Sequence, residues 1–289
     1  MSAQAVRAPV SPAARDIRGP SAFGGGLRRF CNLTWMIAIT EYRLTYFGSA
    51  LGYLWSLMRP LLMFGVLYVV FSQVLRFGGA IKDYPVLLLF NIVLFSFFTE
   101  ATSRAVNSVI LAEGIVRKMQ FPRMVIPLST VLTAAINLVL NLVAVFLFLV
   151  IYGVSPMWSW LALPLILIPL IALTAGVSML LSSLYVRFRD VSPIWQVTST
   201  MLFYGSPVLY VVDTIPTHKH NFQRLAMLNP LADILQQARH WIVDPSTPSA
   251  VTVIGGWGWF AIPVAIFVLA CVAGVWVFNH EAPRIAERL

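Results

Sequence analysis

Three ionisable residues stand inside otherwise apolar runs of this chain: Arg59, Glu100 and Arg104. A charged side chain at membrane depth costs roughly several kcal/mol unless it is paired or wetted, so each is a candidate for binding or proton chemistry. Glu100 precedes Arg104 by one helical turn on the same face, and the simplest arrangement is a neutralising pair. Arg59 and Arg104 each lie roughly seven or eight residues from the end of their apolar run, about 10 to 12 Å deep at ~1.5 Å per residue. They can therefore share one level, where two guanidinium groups would draw in an anionic diphosphate headgroup. The neutral pair and the anion site are compatible.

Other chemistry is sparse. Thr130, Thr133, Asn137 and Asn141 recur at helical spacing and form a polar stripe that can hydrogen-bond across helices in lipid or face a path. His218, His220 and His240 come without a Cys or carboxylate cluster, so no zinc site is expected. No carboxylate pair or nucleophile constellation marks a glycan synthase or ligase. A phosphate-binding loop needs a Gly-Lys pair, and the lysines Lys82, Lys118 and Lys219 follow Ile, Arg and His. Cys31 sits in a cytosolic flank and Cys271 within an apolar run, so no disulfide is expected between them.

The elements that must position these residues are hydrophobic and long. Apolar residues make up 59% of the 289 positions and charged ones 11%, a balance suited to a chain whose solvent is lipid. Runs at about 52–75, 84–110, 124–152, 158–184, 191–211 and 258–278 each approach or exceed the ~20 helical residues that span a bilayer. Backbone groups in lipid must be bonded within the segment, so these are read as six helices in an all-α membrane protein. With both termini cytosolic, thirteen of the 20 Lys and Arg residues fall on the cytosolic side, Arg7, Arg15, Arg18, Arg284 and Arg288 among them. Arg76, Lys82, Lys219, Arg224 and Arg239 fall opposite. The net charge of +9 thus reads as topology and lipid contact, not nucleic-acid binding. Residues 1–27 form a basic tail without an apolar run, 52–280 the six-span domain, and 281–289 a cytosolic end. No cleavable signal is expected, the first span serving as an uncleaved one.

Two protrusions flank the spans on the cytosolic side. Residues 28–51 alternate Phe30, Leu33, Ile37 and Leu44 with polar groups and predict an amphipathic helix lying in the headgroup plane. Glu113 to Arg123 forms a short charged knob that Pro122 must terminate. Tyr185 to Val191 is a second charged connection. Beyond the fifth span, Asn229 and Pro230 open a short amphipathic helix, too brief to cross a membrane, which either lies at the outer interface or re-enters the bilayer.

Arg43, Gly48, Ser49, Leu51, Gly52, Trp55 and Pro60, then Phe121, Pro122, Arg123 and Pro127, then Arg189, Asp190 and Trp195, then Ser206, Pro207, Val208 and Tyr210, then Asn229 and Pro230 together resemble ABC-2 type polysaccharide exporter permeases over about residues 40 to 280. Within that family the resemblance points first to galactan-precursor exporters, with O-antigen and teichoic acid exporters behind them. Arg59 departs from the pattern, where a small polar residue such as Asn would precede the proline. The resemblance implies a homodimer in the cytoplasmic (inner) membrane that binds two copies of a separate ATPase and exports a lipid-linked glycan. It implies no cofactor on this chain, with ATP and magnesium held by the ATPase. It also implies that Glu113–Arg123 is the coupling helix and that Arg28–Arg43 rides on the ATPase. The coupling set is Arg28, Arg29, Glu41, Arg43, Glu113, Arg117, Lys118, Phe121, Pro122, Arg123, Arg187, Arg189 and Asp190. Trp55, Arg59, Phe64, Phe97, Phe98, Glu100, Arg104, Trp195 and Tyr210 are the candidates for the substrate path, since aromatic faces pack against sugar rings. A secondary transporter or small-molecule permease titrating Glu100 is the alternative.

Overall fold

The computed structural model describes residues 26–46, 52, 54–74, 83–114, 122–154, 157–212 and 220–288. All elements among them are helical. Helix α1, Leu27–Tyr46, precedes α2, Leu54–Tyr68, which runs on through a wider π turn at Val69–Val74. Then come α3, Tyr84–Leu111, α4, Val125–Ile151, and α5, Leu163–Arg187, the last entered through a 3-10 turn at Trp158–Ala162. Helix α6, Val191–Gly205, is followed by α7, His220–Met227, α8, Pro230–Ala238 with a π turn at Arg239–Val243, α9, Ala250–Ile254, and α10, Trp257–Arg288.

Among the described residues, five helical lengths are long and apolar enough to cross a membrane: Leu54–Val74, Tyr84–Leu111, Val125–Ile151, Trp158–Arg187 and Trp257–Glu281. The expected fifth span differs. Residues 191–211 do not form one helix, because α6 stops at Gly205 and Ser206 turns extended at φ −90 and ψ 155. Pro207 forces this, since a residue preceding proline is pushed out of the helical region. Fifteen residues reach about 22 Å at ~1.5 Å each, short of the ~30 Å hydrocarbon core. At the other end of the chain, α10 carries on past the expected limit of 278 into the segment expected to be a separate cytosolic end.

Helix α3 is the hub. Its residues are buried nearly all round, and α4, α5, α2 and α6 pack on it. A helix hydrophobic on every side belongs at the centre of a bundle. Helix α2 is its opposite, with Leu54, Leu62, Val66 and Val69 more than half exposed. Helices α5 and α10 form the tightest seam. A Cβ at Gly176 would come within 2.8 Å of the Cys271 Cα, and one at Gly274 would strike the Gly176 carbonyl. Cys271 Sγ also lies 3.5 Å from the Ala172 carbonyl. The small residues at Ala172 and Gly176 thus let two backbones touch.

Helix α1 lies against the start of α4, turning Thr34 and Ala38 inward while Trp35, Met36 and Leu44 stay more than half exposed. Phe30, Leu33 and Ile37 pack on an apolar cluster of Val109, Met124, Met179 and Phe278. The amphipathic pattern is therefore satisfied against protein on one side and left open on the other.

Candidate functional site

A cavity of about 560 Å³ opens where the end of α1, the start of α2, and the middles of α3 and α4 meet. Arg59 and Arg104 both line it, as the depth count predicts, together with Trp55, Phe97 and Glu100. The carboxylate of Glu100 is held from two sides. Arg104 Nη2 lies 3.4 Å from Glu100 Oε1, and Asn137 Nδ2 donates to the same oxygen at 3.0 Å. Tyr46 on α1 donates its hydroxyl to Asn137 Oδ1 at 3.0 Å. A chain of contacts thus runs Tyr46, Asn137, Glu100, Arg104 across three helices. Arg59 has no hydrogen bond or ion pair among the described residues, so its guanidinium donors are free to meet an anion.

A second cavity, of about 760 Å³, shares Thr45, Ser103 and Arg104 with the first and adds Glu41, Asn107 and Thr130. Arg104 therefore stands in the wall common to both. Glu41, expected in the coupling set, faces inward. The Ser129 and Thr133 hydroxyls lie 3.4 Å from its carboxylate, each also near a carbonyl of its own helix, Ile126 at 2.8 Å and Ser129 at 2.9 Å, and Thr133 lies 3.1 Å from the Ala38 carbonyl. Burial pushes the Glu41 carboxyl above its ordinary value, against the pull of those two hydroxyls and of Arg104 nearby. Tyr46 is likewise raised, mainly by burial.

The polar stripe on α4 bonds across helices, as expected, and also lines the two cavities. Thr133 and Asn137 bond to α1 and α3, while Asn137 and Asn141 line the first cavity and Thr130 the second. Asn141 and Thr130 spend a donor on the carbonyls of Asn137 and Pro127 in their own helix.

Several aromatic candidates lie elsewhere. Phe98 meets Trp195 edge-on at 6.0 Å, and the Trp195 indole donates to Thr102 at 3.1 Å, joining α3 to α6. Phe64 packs on Phe148, and Tyr210 lines a separate apolar groove beside α6 with its hydroxyl on the Gly205 carbonyl. Of the coupling set, Arg28, Arg29, Arg43, Arg187, Arg189 and Asp190 are exposed. Arg187 covers the Phe188 ring at 5.0 Å and Arg189 the Tyr185 ring at 5.2 Å, which orders both guanidinium groups. Pro122 and Arg123 form the turn that starts α4, and Glu113 stands just after α3. Arg117, Lys118 and Phe121 lie outside the described residues, as do Gly48, Ser49, Leu51 and the basic tail before residue 26.

The Ser-Pro and Asn-Pro pairs come together. Asn229 caps α8 by accepting from the Leu231 amide at 3.1 Å and donates to Ser206 Oγ at 2.9 Å. Asn91 donates to the Pro207 carbonyl at 3.0 Å and Tyr84 to that of Leu209 at 2.9 Å. The turn after α6 is thereby tied to α3 and α8. His240 uses its Nδ1 on the Thr247 carbonyl at 2.6 Å, so that nitrogen carries the proton. No group of three potential metal ligands converges among the described residues.

Sequence reading passed over Tyr46, Ser56 and Ser96, which line the first cavity, and Asp233 on α8. Tyr46 gave no signal, being one more aromatic in an amphipathic helix. Asp233 gave one, an acid between Leu231 and Ile234 in a helix of high apolar content.

The family profile described as ABC-2 type transporter matches residues 32–242. An O-antigen export system permease protein, RfbA, of Klebsiella pneumoniae is 30% identical over 257 residues, covering 88% of this chain and 94% of its own. RfbA of Myxococcus xanthus is 27% identical over 86% of this chain and 92% of its own. The polysialic acid transport protein KpsM of Escherichia coli is 22% identical over 71% of this chain and 79% of its own. With the match running from within α1 through the cavity to the capped α8, this chain belongs to the ABC-2 type transporter family.

Proposed function

We propose that this chain is the membrane permease of an ATP-driven exporter that carries a polyprenyl-diphosphate-linked polysaccharide across the cytoplasmic membrane. Two copies would form the path, and two copies of a separate ATPase would drive it, with both termini of each permease in the cytosol: Phe30 and Leu33 of α1 pack in one cluster with Phe278 of α10, and α6 with the turn that follows it would make a sixth, broken crossing. The observation that carries this reading is the cavity, lined in part by the end of α1, in which Arg59 stands without a partner among the described residues beside the Arg104 and Glu100 pair. Two guanidinium groups against one carboxylate leave net positive charge where a diphosphate would enter. Trp55 at its rim supplies an aromatic face of the kind that packs against sugar rings. Similarity to O-antigen and polysialic acid transport proteins supports a polysaccharide as cargo.

The test is reconstitution in vesicles with the partner ATPase and a diphosphate-linked glycan. Transport should stop with a catalytically dead ATPase and persist in Glu100→Gln. Loss of transport in Glu100→Gln under an imposed proton gradient, with no dependence on the ATPase, would instead assign the chain to proton-coupled secondary transport.

A further inference from the structure

On the side opposite α1, α5, α8 and α10 enclose a groove of about 310 Å³. Its walls are Leu165, Ile166 and Pro169 of α5 and Phe260, Val264 and Phe267 of α10. Into this apolar space α8 turns Asp233, which is 7% exposed and whose Oδ1 has no hydrogen-bond partner among the described residues. A buried polar atom without a partner is costly, and native structures keep few. Gln237, one turn on, has its carbonyl taken up by the Ala250 amide at 3.3 Å. Leu165 and Val264 at the mouth are 62% and 44% exposed, on helices long and apolar enough to cross a membrane, so the mouth opens on hydrocarbon.

We infer that this groove seats an ester-linked acyl lipid, its chain against the α5 and α10 walls and its ester carbonyl accepting a hydrogen bond from the carboxyl group of Asp233. The groove's volume lies at the low end of small-molecule sites and suits a length of hydrocarbon, not a glycan. The acid acts as the donor because it is neutral. Burial pushes its pKa up to about 8, and no charged group contributes to that shift. The walls from α5, α9 and α10 present no titratable or charged side chain, and α8 adds only Gln237 and Trp241. An amine headgroup would have to leave water to form an ion pair in this dry space, which a neutral donor and acceptor avoid. A polyprenyl chain fits the walls but offers no carbonyl. The inference is independent of the cargo proposed above, since it needs only the membrane and the groove.

The experiment is native mass spectrometry of the full chain with its ATPase, delipidated and given either a diester phosphatidylglycerol or the diether lipid of the same headgroup and chains. The diester should be retained about fivefold better at pH 7, the factor that one hydrogen bond supplies. Asp233→Leu should abolish the preference, and Asp233→Asn, which keeps a donor, should preserve it. Raising the pH to about 9.5 should erase the preference in the wild type and leave it in Asp233→Asn, because an ionised carboxylate cannot donate. Equal retention of the two lipids by the wild type, or a preference that survives in Asp233→Leu, would overturn the inference. If Asp233→Leu does not fold, the contrast in pH dependence between wild type and Asp233→Asn decides.

Discussion

Arg104 answers two demands at once: it neutralises Glu100 in the wall of one cavity and stands beside Glu41 in the wall of the next. Glu100 also draws a hydrogen bond from Asn137, so losing the Arg104 charge leaves the acid partly compensated. Replacing both Arg59 and Arg104 by Gln should therefore leave the folded protein intact while lowering transport of a diphosphate-linked lipid at least about tenfold, from the loss of two charge-assisted contacts. Export assays on correctly folded double variant check this, and normal export would remove the anion site. Glu41 titrates with the opposite sign to a salt-bridged acid. Its folded pKa lies above the ordinary value of 4.5, so the folded state binds the proton more tightly than the unfolded one. The stability it confers is complete below about pH 4.5 and declines as pH rises through the folded value. The thermal midpoint of wild type should thus fall between pH 4 and 7 relative to that of Glu41→Gln, which lacks the ionisation. Parallel curves for the two proteins would exclude a titrating Glu41.

Among the elements, the strongest signals in the chain were those of lipid. The long apolar runs of α3, α4, α5 and α10 could be read directly because hydrocarbon tolerates nothing else at that length. Helix α6 was overestimated for a matching reason: the run stays apolar through Val211, while its backbone breaks at Ser206 under the constraint of Pro207. Asn229 and Pro230 announced α8 correctly, since a capping side chain and a fixed φ act locally. What could not be read was the second use of Asn229, its bond to Ser206 across 23 residues. Asn229→Ala should lose the cap and that bond together, costing about 1 to 2 kcal/mol, whereas Asn229→Ser, which caps but cannot reach as far, should recover part of it. Denaturation of the two variants in the same detergent measures the difference, and equal stability of Ala and Ser would mean that the cap contributes nothing. In the site the same division holds. That Arg59 and Arg104 could come together was legible from counting residues along helices, and both line one cavity, but the meeting of Tyr46, Asn137 and Glu100 is set by how α1 and α3 cross α4, which no local pattern encodes.

For the molecule as a whole, the proposed drive enters through the protrusions on the α1 side. Reversing charge at Arg117 and Lys118 to Glu should weaken association with the ATPase by about tenfold or more, or leave ATP hydrolysis running without export, because rim charges that meet a complementary partner become repulsive. Co-purification, ATPase turnover and transport measured together test this, and unchanged values in all three would reject docking there. Arg187 and Arg189, each ordered over a neighbouring ring, offer a second cationic contact on the chain's surface.

The seam at Gly176 and Gly274 has a bearing on how such a body could change shape. At this point two backbones touch with no side chain between them, and Met179, Val275 and Phe278 pack beside the contact, which favours α5 and α10 travelling as one rigid plank. Helix α2 is the reverse: it carries Pro60 within its length, ends in a widened turn, and leans on α3 and α4 while leaving its other face exposed. Any widening of the passage beside Arg59 would then be borne by α2 swinging off α3, and a crosslink pinning those two helices should halt traffic that the same crosslink across the glycine seam would leave untouched.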